Sequence, residues 1–200
     1  WSDSNGKIIK SILKKIDKTR ISDDSKEILS VALLTNSYVP QKNITTEEFL
    51  DFKTKYLIKS EDLNLIKLFI SKNKELENND SLIIYYLDQN LSSSDLESAC
   101  SIFDEVINYS SEYISKFKIY CLYNENKINE AQLLFDLKKE LGFNDESFEN
   151  KFNLLMGLSS KNNKEASEKN ILEFHISHRL DKNFSYVPNE NTPDIIWKYL

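Results

Sequence analysis

Two hundred residues and 23.4 kDa, 40% hydrophobic and 29% charged, are enough to bury a core and exclude a disordered chain. Only 3 Gly and 3 Pro leave too few turn residues for a β-sandwich, a Rossmann sheet or a TIM barrel, so helices joined by short polar loops are expected. With 26 basic against 32 acidic residues the net charge is −6, which argues against a nucleic-acid phosphate backbone as partner.

Helical periodicity with cap signals recurs along the chain. The first predicted helix, Gly6 to Lys18, places Ile8, Ile9, Ile12, Leu13 and Ile16 on one face, with Lys7, Lys10, Lys14 and Lys15 opposite. Such a helix can lie on anionic lipid, but it reads better as the outer helix of an array with solvated lysines. A second helix, Asp23 to Asn36, stops at Val39-Pro40. Thr45 and Glu48 form a capping box for a third, through Leu57, and Ser60 caps a fourth carrying Leu63, Ile66, Phe69 and Ile70. Asp80 caps the next, and Ser94 with Glu97 reads as a second capping box before Leu96, Ala99, Phe103 and Val106.

Ser111 opens the segment of Phe117, Ile119 and Leu122. Helices from Lys127 to Leu141 and from Asp145 to Met156 end at Gly142 and Gly157. Ser159 to Lys164 reads as a loop, and Ser167 to Arg179 as a helix. After Asp181 to Asn191, Thr192 caps a last helix with Pro193 in its first position. No apolar run approaches the roughly 18–20 residues of a membrane span. A chain that opens on Trp1 and closes in an unfinished helix is expected to be a fragment of a longer protein, so its compartment stays open.

A repeat organises these helices. Leu63, Ile66 and Ile70 align with Leu96, Ala99 and Phe103 at an offset of 33, and these with Ile128, Ala131 and Phe135 at 32. The preceding helices keep step: Phe49, Phe52 and Ile58, then Leu82, Tyr85 and Leu91, then Ile114, Phe117 and Tyr123. A period near 33 describes a helix hairpin whose apolar face its neighbour covers.

Ala99-x-x-x-Phe103 and Ala131-x-x-x-Phe135 resemble the small-then-aromatic pair in the second helix of the tetratricopeptide repeat, over roughly residues 46–142. The family's first-helix Gly is replaced by Leu87 and Ile119, and its terminal Pro by Ser111 and Phe143. The chain as a whole resembles helical-repeat proteins of AT-rich bacteria, a likeness that implies no activity. The expectation is a right-handed α-solenoid of about eleven helices, with a repeat array over 1–157 and a helical extension over 158–200 that continues past Leu200.

If the tetratricopeptide register holds, first helices line a concave groove carrying Asp51, Lys55, Ile84, Asp88, Tyr113, Lys116, Tyr120 and Tyr123. Aromatic side chains beside charge suit a peptide or a partner helix. The same tyrosines can equally pack between helices with their hydroxyls at the surface. Cys100 and Cys121 lie almost symmetrically about the turn near Tyr109–Ser111, at one height of an antiparallel hairpin. They are either a disulfide, which implies an oxidising compartment such as a bacterial envelope, or two buried thiols, in which case the cytoplasm is expected.

His175 and His178 share a helix at a spacing that could offer two nitrogens to a metal, but nothing completes a tetrahedral site, so no metal or other cofactor is expected. No Gly-rich phosphate loop or G-x-S-x-G elbow occurs. Glu146-Ser147 resembles the acid-bearing dipeptide of lytic transglycosylases without that family's surrounding motifs. The resulting expectation is a non-enzymatic interaction or scaffold segment that binds a protein or peptide on a concave helical surface. The alternative is a superhelical accessory domain of an envelope enzyme such as a lytic transglycosylase.

Overall fold

A computed structural model describes residues 1–35, 38–73, 79–159 and 166–200. Among them the chain forms eleven α-helices and no strand, only one isolated parallel bridge between Asn5 and Lys42. It divides into two compact units, Trp1–Asn73 and Lys74–Leu200. The end of the expected second helix at Asn36 and most of the Ser159–Lys164 loop lie outside the described residues.

The first unit holds α1 (Gly6–Asp17), α2 (Asp23–Leu34), α3 (Thr46–Ser60) and α4 (Leu63–Lys72). Asn5 caps α1, and the next residue must be small. A Cβ on Gly6 would sit 2.5 Å from the Ile44 side chain and 2.7 Å from the Lys42 carbonyl. That approach lets the Gly6 amide donate to Lys42 at 2.8 Å and ties the loop before α3 onto α1. Ile9 and Leu13 join Leu33 and Phe49 in the core with Ile16 packed against them, while Ile8 and Ile12 stay exposed, so three of the five residues of the expected α1 stripe are covered. Lys10 reaches Glu48 at 2.9 Å, inside the expected Thr45–Glu48 capping box.

The second unit holds α5 (Asp80–Ser92), α6 (Leu96–Ser101) running into a 3₁₀ turn (Ile102–Asp104), α7 (Glu112–Asn124), α8 (Ile128–Glu140), α9 (Glu146–Leu155), α10 (Ile171–Leu180) and α11 (Asp194–Tyr199). α5 packs on α6, α7 on α8, and α7 also on both members of the preceding pair. Phe135 of α8 meets Phe152 of α9 with ring centres 5.0 Å apart. α10 lies against α5 and α9, and α11 against α5.

The repeat is visible in the backbone itself. α3 ends on Glu61 (φ 56°), α5 is followed by Ser94 (φ 60°) and α7 by Asn126 (φ 61°), three left-handed residues at the sequence period. Each donates its amide to the residue three before it: Glu61 to Ile58 at 3.2 Å, Ser94 to Leu91 at 2.9 Å, Asn126 to Tyr123 at 3.1 Å. The next helix starts two residues later. Ile66, Ala99 and Ala131, aligned in sequence, are all fully buried.

These turns correct several caps. Ser60 instead donates to the Leu57 carbonyl at 2.7 Å, and Asp62 caps α4. Ser94 is committed to the left-handed turn, so Asp95 caps α6 through the Ser98 amide at 2.9 Å. Asp80 makes no cap; its carboxylate accepts the Ser110 amide and hydroxyl at 3.1 and 2.7 Å. Thr192 likewise turns inward, to the Asn189 amide at 3.0 Å, leaving α11 without a side-chain cap. Gly142 and Gly157, at φ 95° and 70°, end their helices as expected.

Candidate functional site

The residues expected to form one groove meet different fates. In the first unit, Asp51 and Lys55 form an exposed pair at 2.6 Å along α3. In the second unit, Tyr120 and Lys116 are buried, while Ile84, Asp88, Tyr113 and Tyr123 are half-buried. The cover is the chain's own C-terminal segment. α10 brings His175 to 2.9 Å from the Tyr120 hydroxyl, and Arg179 donates to the same oxygen at 2.8 Å and to Asn124 at 2.6 Å. Tyr123 donates to the Leu155 carbonyl at 2.9 Å, and Tyr113 to Asp88 at 2.6 Å.

Beneath this cover lies a charged knot. Lys116 of α7 hydrogen-bonds Asp145, the N-cap of α9, and its Nζ stands 3.7 Å from Glu173 of α10. Lys169 reaches Asp145 at 2.5 Å. Glu173 is fully buried and accepts from Ser147 at 2.7 Å and from Ser167 and Asn170 at 3.1 Å. Burial raises the Asp145 pKa, but the hydrogen bonds from Lys116 and Lys169 outweigh it and hold the carboxyl well below the usual carboxylate range. Two carboxylates, two ammonium groups and their hydroxyl and amide donors thus satisfy one another, which is the condition for ion pairs to survive burial.

A second network runs through the histidines. His175 meets Tyr120 through Nε2 and Tyr199 through Nδ1, both at 2.9 Å, and His178 Nδ1 meets the same Tyr199 oxygen at 2.9 Å. One set of proton positions satisfies every contact: Arg179 donates to Tyr120, Tyr120 to His175, His175 to Tyr199 and Tyr199 to His178. Burial, then the charges of Arg179 and His178, push the His175 pKa down to about 4, so its imidazole is neutral at pH 7. Burial pushes the Tyr120 hydroxyl up to about 12, against the opposing pull of Arg179. Both nitrogens of His175 are taken by phenols, and among the described residues no group of three His, Cys, Asp or Glu could hold a metal.

Cys100 of α6 and Cys121 of α7 are joined in a disulfide, Cα atoms 5.5 Å apart. The bridge cross-links consecutive hairpins across a separation of 21 residues.

The outer face of α8 remains open. Leu133, Leu137 and Leu141 follow one another at intervals of four, at 71%, 49% and 73% exposure, while Ala131 and Phe135 on the inner face are buried. The spacing of these leucines can be read in the sequence, but their exposure cannot. The charged knot had no comparable signal, because Lys116, Asp145 and Glu173 lie far apart along the chain. Comparison with protein-family models, curated proteins and solved structures gives no match.

Proposed function

We propose that this chain is a non-enzymatic interaction or scaffold segment built from tetratricopeptide-like helix hairpins, and that it holds a partner protein through the outer face of α8. The leucine ridge carries the reading. Leu133 and Leu137 of α8 and Leu141, its C-cap, span about 12 Å, and an i, i+4, i+8 row is the kind of ridge that fits the groove of another helix. Burying each leucine against a partner contributes on the order of 1.5–3 kcal/mol that an isolated chain forgoes. An amphipathic helix of the partner is the complementary shape.

The Cys100–Cys121 bridge supports an oxidising location such as a bacterial envelope. It also favours the second reading, a superhelical accessory domain of an envelope enzyme, in which the α8 ridge would seat that enzyme's catalytic part.

A photo-crosslinking residue placed at Leu137 in the full-length protein, expressed in its own organism, tests the proposal. One defined protein adduct is expected, lost when Leu133→Glu is added and unaffected by a control substitution at Lys127. Absence of an adduct, or an adduct indifferent to Leu133→Glu, would overturn it. If the captured protein is the chain's own downstream domain, the accessory reading replaces the scaffold.

A further inference from the structure

The first unit contains a cavity of about 720 Å³, within the range of small-molecule sites. Its apolar floor includes Leu13, Leu29, Leu33 and Phe52, and it reaches the core: Leu33 is only 1% exposed and Leu13 8%. Around these stand Lys14, Lys18, Arg20, Lys26, Lys55 and Lys59. Six of the fifteen lining residues are therefore cationic and none of the described ones is acidic, in a chain whose acidic residues outnumber basic ones 32 to 26. The sign of the lining runs against the sign of the protein.

We propose that this cavity binds a single-chain lipid anion, with the acyl chain against the leucines and Phe52 and the anionic head among the lysines and Arg20. Three features of the cavity choose this class. The floor residues Leu13, Leu29, Leu33 and Phe52 are apolar, which suits a methylene chain and offers little to a polar metabolite. The rim is cationic on the segment from Lys14 to Lys26 and again on α3, so an anion at the mouth is met from two sides. The lining also includes the core residues Leu13 and Leu33, so a chain that enters the cavity reaches the core of the unit.

Among the rim lysines, Lys26 meets Asp23 at 2.7 Å and Lys55 meets Asp51 at 2.6 Å. Both pairs are exposed contacts within one helix, the kind that contributes little and yields readily to a better-placed anion. Tyr56 gives the wall a fixed edge. Its hydroxyl donates to the Lys26 carbonyl at 2.9 Å and lies 2.5 Å from Ser30, which braces α3 against α2 and keeps the cavity from collapsing.

Carboxylate and phosphate heads share this chemistry, and the test separates them. The whole chain, labelled at its leucine methyl groups, is titrated by NMR with oleate, with oleoyl lysophosphatidate and with oleyl alcohol, each below its aggregation threshold. Saturable one-to-one binding of at least one anion is expected, shifting Leu13, Leu29 and Leu33 and leaving the α8 leucines unmoved. Oleyl alcohol should bind at least tenfold more weakly, and Lys18→Glu with Arg20→Glu, both on the exposed rim, should weaken the anion at least tenfold. The tighter of the two anions names the head group. Equal binding of the alcohol, shifts confined to other leucines, indifference to the charge reversal, or tighter binding of an acidic amphipathic peptide would each overturn the proposal.

Discussion

Tyr113 of α7 donates its hydroxyl to the Asp88 carboxylate of α5 over 2.6 Å, and both residues are half-buried. Burial pushes the Asp88 pKa up to about 6, against the lowering effect of the Tyr113 hydrogen bond. Between pH 4 and 6 the folded chain therefore keeps a proton that the unfolded chain has released, and stability falls as pH rises through that window. His175, held down to about 4 from an ordinary 6.5, acts in the opposite sense: the unfolded chain binds the extra proton, and stability rises over nearly the same range. Each effect is on the order of 3 kcal/mol, so the two largely cancel.

Removing either group should expose the other. Asp88→Asn is expected to make stability climb from pH 4.5 to 6.5, and His175→Gln to make it decline, while the parent stays comparatively flat. Urea midpoints across that range, at constant m, measure this. Slopes of the same sign in both variants would refute the opposed burial of the two groups.

The Cys100–Cys121 bridge closes a separation of 21 residues, worth about 3 kcal/mol in the chain-entropy picture. Reduction, or replacement of both cysteines by serine, should lower the melting temperature of the second unit by roughly 10 °C, with helical content kept at 20 °C. Calorimetry with and without reductant is the check; an unchanged transition would place the stabilisation elsewhere.

Lys116 and Glu173 are both buried, and truncating one strands the other. Lys116→Met should cost about 3–5 kcal/mol, the range for breaking a buried ion pair. Adding Glu173→Gln should recover part of it, with a coupling of at least 1 kcal/mol in the double-mutant cycle. Additive losses would show that the serine and asparagine donors, not the lysine, support the carboxylate.

Glu61, Ser94 and Asn126 carry a left-handed backbone without being glycine. That conformation costs a side-chain-bearing residue roughly 1–2 kcal/mol. Ser94→Gly should therefore raise stability by about 0.5–1 kcal/mol, after the greater freedom of glycine in the unfolded chain is discounted. Chemical denaturation measures this directly, and a loss on substitution would mean that the Ser94 side chain makes a compensating contact.

Leu133→Glu with Leu137→Glu should leave the melting temperature within about 2 °C, because these side chains lie outside the core. A large loss would show that the ridge stabilises the chain itself and is no interaction surface.

The sequence alone fixed the all-helical character, the helix hairpins and their period. Those depend on local matters: apolar residues at helical spacing, side chains that can cap, and few glycines or prolines. The pairing of Cys100 with Cys121 was legible as one of two options, since residues equidistant from a turn sit at one height. The left-handed turns at Glu61, Ser94 and Asn126 were hidden because glycine, the usual signal, is absent. The tertiary structure alone decided what covers the faces. Tyr113, Lys116 and Tyr120 line up on α7 as groove residues would, yet Asp88, Glu173, His175 and Arg179 supply their partners from α5 and α10. No spacing rule reaches across separations of 25 to 59 residues, so the closed face of the second unit, and the cationic cavity of the first, emerge only when distant helices are brought together.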